Sequence, residues 1–175
     1  MQVRNNPHVI VPTGRYPVTV TMADVSEKLD RSHIREAYAS VLLKDGREAY
    51  RRTLPLAREG EPLPDLKDDE YIGFPVDAGT ACFVDDSAIS VGMPDPKTWL
   101  AELFENERSD SWFNRIDDPN HIREGIANIV LPFAKNGENL VLFHSGWGDG
   151  VYPVVGSYDD ADVLLAVHID FSVVP

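Results

Sequence analysis

The chain has 175 residues, 43% of them hydrophobic and 26% charged, which is the composition of a folded globular protein large enough to bury a core. Sixteen basic residues stand against 29 acidic ones, for a net charge of −13 and a pI near 4.6. Phosphate backbones and anionic membrane surfaces would be repelled by that field, so nucleic-acid and membrane partners are not expected, whereas basic proteins or cations would be attracted. A lone cysteine, Cys82, excludes an internal disulfide, and no apolar run nears the roughly 20 residues of a membrane span. The first residues, Met1–Pro7, carry no apolar run of signal-peptide length, so a cytoplasmic protein is expected.

Along the chain, Tyr16, Val18, Val20 and Met22 alternate with Pro17, Thr19 and Thr21, the period of a half-buried strand, and Pro17 argues for an edge or a strand start. Residues 33–43 fit either a strand or a helix; the strand is preferred. Lys44-Asp45-Gly46 then predicts a hairpin into a second run from Arg47. Residues 55–70, with three prolines and a dense acidic group, read as a loop.

Two short apolar runs between Tyr71 and Asp85 are joined by Asp77-Ala78-Gly79, predicting two strands or one bent at Gly79. Asp95 before Pro96 reads as a helix start, with Trp99, Leu100, Leu103 and Phe104 on one side of the helix. Strands are expected from Ile126 to Phe133 and from Leu140 to Phe143, around the turn Asn136-Gly137. A glycine corner, Gly146-Trp147-Gly148-Asp149-Gly150, leads into Val151–Val155. The last strand runs through Val163, Leu165, Val167, Ile169 and Phe171, a wholly apolar row that faces the core. The expected architecture is one globular α+β domain over residues 1–175, mainly antiparallel sheet with one or two covering helices.

Four chemical readings can be drawn on these residues. The glycine corner has the look of a phosphate loop, but a strand follows it, so the helix N-terminus that would hold phosphate is lacking. A tight turn displaying Trp147 and Asp149 fits better, and such loops carry binding. His144, Ser145, His168 and Asp170 could be drawn as a hydrolase triad, yet Phe143 takes the place of the first glycine of a nucleophile elbow. Several aspartates near strand ends lack any metal-ligand spacing, so no metal and no cofactor is assigned. Cys82, between Ala81 and Phe83, reads as a buried small hydrophobe.

Three segments taken together carry a resemblance. They are Gly14-Arg15-Tyr16-Pro17-Val18, the stretch Val76–Asp85, and Ser145–Pro153 followed by Asp170-Phe171. In that order the chain resembles, over about residues 13–172, the bacterial family known as domain of unknown function 4241. The family has no established activity. The resemblance marks Asp77, Gly79, Thr80, Gly148, Asp149, Gly150 and Tyr152 as motif positions, and implies that an early strand before Gly14 is missing here. With Trp147 added from the corner, these residues form the expected binding site. The preferred function is a soluble acidic interaction protein that neutralises a basic partner such as a toxin, with Trp147 as anchor. The alternative is a small-molecule hydrolase with Asp77 and Asp149 as acid and base. Pairing of exposed strand edges would make a homo-oligomer.

Overall fold

The computed structural model describes residues 8–58, 60–67, 70–106 and 108–174. The stretch before His8, and Asp68 and Asp69 of the expected acidic loop, lie outside them. The described residues form ten strands in mainly antiparallel sheets with few helices, the expected α+β class. The chain divides into two compact units, one of residues Thr80–His144 and one built from the segment ending at Gly79 and the segment starting at Ser145.

The larger unit is organised on a five-stranded sheet, β1 (Val18–Asp24), β2 (Ile34–Leu42), β10 (Leu164–Asp170), β9 (Val154–Tyr158) and β3 (Tyr50–Thr53), in that spatial order. β1 is an edge and begins directly after Pro17, which fits both expected places for that proline, and the Pro17 carbonyl accepts the Leu42 amide at 2.9 Å. Residues 34–42 are strand, and the helical alternative is set aside. The hairpin expected at Asp45-Gly46 does not form. The C-terminal β10 occupies the place beside β2 that the second run would take, and the amides of Leu43 and Lys44 both donate to the Leu165 carbonyl. The chain then crosses to the far edge, where β3 pairs with β9.

β10 is central and buried on both faces. Its odd row, Leu165, Val167 and Ile169, continues into Phe171 and packs with Ala37, Ala39 and Val154 as the core, as the pattern predicts. The even row holds His168, also buried. A separate two-stranded ribbon, β4 (Phe74–Val76) with β8 (Gly150–Tyr152), completes this unit.

The smaller unit packs helices on a three-stranded sheet, β5 (Thr80–Val84), β7 (Asn139–His144) and β6 (Ile126–Val130). The hairpin of β6 and β7 turns at Asn136-Gly137 as expected, with Gly137 at φ 79°. Trp112, Ile116, Ala127, Ile129, Leu131 and Leu142 form its core. The helix expected after Asp95 is a short turn, followed by a π-helical turn at Leu100–Phe104. Only its Leu103 and Phe104 pack on the core, whereas Leu100 is exposed. The two α-helices lie elsewhere. α1 (Asp86–Gly92) is capped by Asp85, whose carboxylate accepts the amides of Ser87 and Ala88. α2 (Trp112–Asp117) starts at Ser111, whose hydroxyl accepts the Asn114 amide. Among the described residues no helix is long and apolar enough to cross a membrane.

Candidate functional site

The ladder of β4 and β8 pairs Phe74 with Tyr152 and Val76 with Gly150. Asp77 follows the last paired residue of β4 and Asp149 precedes the first of β8, so the two bends of the larger unit leave the same end of the ribbon. A Cβ placed on Gly79 would lie 3.7 Å from the Gly148 Cα, which puts the glycines of the two bends in contact distance.

Hydrogen bonds hold this arrangement. The Gly79 amide donates to Asp149 Oδ1 at 2.7 Å, and the Ser145 amide to the Gly79 carbonyl at 3.0 Å. Asp77 Oδ1 accepts the Ala78 amide at 2.9 Å. The Gly148 carbonyl accepts two hydroxyls, Ser145 at 2.7 Å and Tyr152 at 2.9 Å. Ala78 and Gly79 both sit at φ 61°, the left-handed region needed at the centre of the tightest two-residue turns. Ala78 is strained there, and the clips from both carboxylates keep it so.

Trp147 stands out from this corner with 52% of its surface exposed, yet it is braced. The Arg35 guanidinium lies 5.4 Å from its ring centroid, and the His33 ring meets it edge-on at 6.0 Å. Arg35 in turn donates to the Gly146 carbonyl at 3.2 Å and to His33 Nε2 at 2.8 Å. Neither Arg35 nor His33 is among the expected site residues. Both come from the start of β2, far from the corner in sequence, and no local pattern marks them.

The expected residues therefore fall into distinct places. Asp77, Gly79, Gly148, Asp149 and Gly150 form the paired bends, and Trp147 is displayed beside them. Tyr152 is buried and acts as a staple; burial, then the Asp149 charge, pushes its phenol pKa up. Thr80 opens β5 in the smaller unit, opposite His144.

The residues drawn as a triad are engaged separately. Ser145 donates to Gly148, His144 lies 3.4 Å from Asp117, and Asp170 Oδ1 accepts the Ser172 amide at 2.8 Å. His168 places Nδ1 2.7 Å from Ser40 Oγ and Nε2 3.1 Å from Ser157 Oγ, so both ring nitrogens are taken. Burial pushes the Cys82 thiol up to about 11, which leaves it protonated and a poor nucleophile.

A family model described as a protein of unknown function (DUF4241) matches residues 4–169. The chain belongs to the DUF4241 family. Nothing among the curated proteins and nothing among the solved structures matches it. The match spans both bends and the Trp147 corner, and it brings a family without an assigned chemistry, so what this member does rests on the site itself.

Proposed function

We propose that this DUF4241 protein is an interaction protein whose contact point is the Trp147 corner, and that its partner is a basic protein. One observation carries the reading: Trp147 is half exposed but already held by Arg35 and His33. An ordered aromatic side chain loses little rotamer freedom on binding, and tryptophan anchors are over-represented among the residues that dominate interface energies. The net charge of −13 supplies the long-range attraction for a cationic partner. Because Arg35 and His33 are the ring's own neighbours, the partner's cations would seat on the carboxylates of the paired bends, Asp77 and Asp149, and its apolar groups on the ring. Neutralisation of a basic toxin is one form this takes, in a reducing cytoplasm that suits a single unpaired cysteine. We read residues 1–175 as one functional domain, since the larger unit is discontinuous in sequence and closes only after the smaller one has been made.

The hydrolase reading has weaker support. Asp77 and Asp149 both belong to the paired bends, but one oxygen of each already accepts a backbone amide that shapes the bend.

The test is titration calorimetry with a lysine-rich peptide bearing one leucine-rich end, at 50 and 300 mM salt. Binding should weaken steeply with salt, and Trp147→Ala should reduce it by about tenfold or more, a loss near 1.4 kcal/mol, without moving the urea midpoint. Salt-insensitive binding, or none, would remove the basic-partner reading. Unchanged binding by Trp147→Ala would remove the corner as its anchor.

A further inference from the structure

A second surface feature of the larger unit lies apart from the Trp147 corner and is independent of that reading. The segment starting at His8 and the proline-bearing stretch after β3 border an open concavity of about 460 Å³ beside β3 and β9. That volume falls within the roughly 300–1,000 Å³ range of small-molecule sites. Its wall is apolar. Leu54 is buried, but Ile10 is 72% and Leu63 55% exposed, so large aliphatic groups line the cavity without being covered. Uncovered aliphatic surface at a concavity gains free energy from any apolar occupant.

The polar groups on the wall narrow the chemistry. Arg52 lines the cavity, with its guanidinium 4.2 Å from the ring centroid of Tyr158, which lines it too and is buried. The buried Tyr158 ring holds the guanidinium at the wall, where its N–H groups can meet an acceptor. Its acidic partner, Asp162, is 3.4 Å away, and the two side chains are 55% and 63% exposed. A pair that exposed is worth about 0–1 kcal/mol, so Asp162, which the Tyr50 hydroxyl also engages, competes only weakly with a carboxylate arriving on an apolar tail. Asp65 also lines the cavity and opposes an anion, but no aromatic stacking holds it in the way Tyr158 holds Arg52.

We infer that this cavity is a binding site for a small apolar molecule bearing one anionic group, such as a medium-chain or aromatic carboxylate, with Arg52 receiving the anion. The probe is 1-anilinonaphthalene-8-sulfonate, followed by fluorescence and displaced by octanoate, octylammonium or octanol. The expected result is enhanced emission, with octanoate displacing the dye at concentrations about tenfold lower than either other competitor, which is the size of one charge-assisted hydrogen-bonded pair. Arg52→Gln should bring octanoate to within about twofold of octanol, and Leu63→Asp should remove binding of all three, with urea midpoints unchanged in both variants. No dye enhancement, dye binding that survives Leu63→Asp, or equal displacement by octanoate and octylammonium would overturn the proposal. So would an octanoate preference that persists in Arg52→Gln.

Discussion

The hydroxyl of Ser40 stands 2.7 Å from Nδ1 of His168 across the β2–β10 pairing, where the two residues lie directly opposite each other. The ring's other nitrogen meets Ser157 on β9, so one imidazole spans three strands at the centre of the sheet. Burial, followed by the charge of Arg51, lowers the His168 pKa below its usual value, and the smaller pull of Glu48 and Asp170 in the other direction does not reverse this.

Stability should therefore fall in mild acid. His168 is neutral in the fold and more basic in the unfolded chain, so the unfolded state binds the extra proton first. The contribution is complete above about pH 6.5, the ordinary imidazole value, and is lost as pH falls from there through the lowered folded value. Urea midpoints measured from pH 8 to pH 5 should decline across that window, and His168→Gln should flatten the decline. Ser40→Ala leaves Nδ1 buried without its partner and should cost about 1–3 kcal/mol at neutral pH. A wild-type midpoint that holds constant from pH 7 to pH 5 would contradict this account.

The bend at Asp77–Gly79 makes a prediction of opposite sign at neighbouring positions. Ala78 occupies φ 61°, which costs an L-residue roughly 1–2 kcal/mol, while glycine pays about 0.5–1 kcal/mol in extra chain entropy. Ala78→Gly should be neutral or stabilising by up to about 1 kcal/mol. Asp149→Ala removes the acceptor for the Gly79 amide and should destabilise by about 1–2 kcal/mol, with Asp149→Asn recovering part of the loss because it keeps a side-chain oxygen. Chemical denaturation of the three variants decides it; Ala78→Gly as damaging as Asp149→Ala would mean the bend is not strained.

Two glycines with like backbone angles should respond differently to alanine. Gly146 has φ 60°, and a Cβ there would lie 2.6 Å from the Glu36 carbonyl oxygen and 3.0 Å from the Phe171 Cβ. Gly137 has φ 79° with open space around it. Gly137→Ala should therefore cost only the backbone strain, about 1–2 kcal/mol. Gly146→Ala adds a clash against backbone that cannot rotate away, and its loss should exceed that of Gly137→Ala by about 1–3 kcal/mol. Thermal melts of the pair test this, and equal losses would show that the corner can shift away from β2.

How much of this was readable in the residues depends on the range of the interaction. Alternation over Tyr16–Met22 and Val163–Phe171 marked strands because side-chain period is local, and Pro17 marked an edge or a strand start because it lacks a donor. The glycine bends were legible from composition, and their proximity follows from β4 pairing with β8. The Asp45-Gly46 hairpin failed because a strand from the other end of the chain inserts beside β2, a competition that no local pattern records. The bracing of Trp147 by Arg35 was hidden for the same reason. α1 and α2 are short and start at caps on Asp85 and Ser111, which in sequence look no different from Asp95, whose carboxylate also accepts an amide, from Lys97, yet opens only a turn.

The turn between β6 and β7 carries the last prediction. Glu138 accepts the amides of Lys135 and Asn136 at 2.9 Å each, and the Asn136 side-chain amide as well. These donors, the Asn136 amide foremost, favour the ionised carboxylate and hold its pKa at about 2 against an ordinary 4.5. Folding thus depresses the value, and the sign is opposite to that of His168. The contribution is fully present above pH 4.5 and is lost as pH falls through about 2. Glu138→Gln, which offers one oxygen where the carboxylate offers two, should be less stable than wild type at pH 6. The gap between their urea midpoints should then narrow between pH 4.5 and pH 2 as the wild-type carboxylate is protonated. Titration of the Glu138 side-chain carbon by NMR gives the same answer directly, and an inflection at the ordinary glutamate value would show that the turn does not depend on this charge.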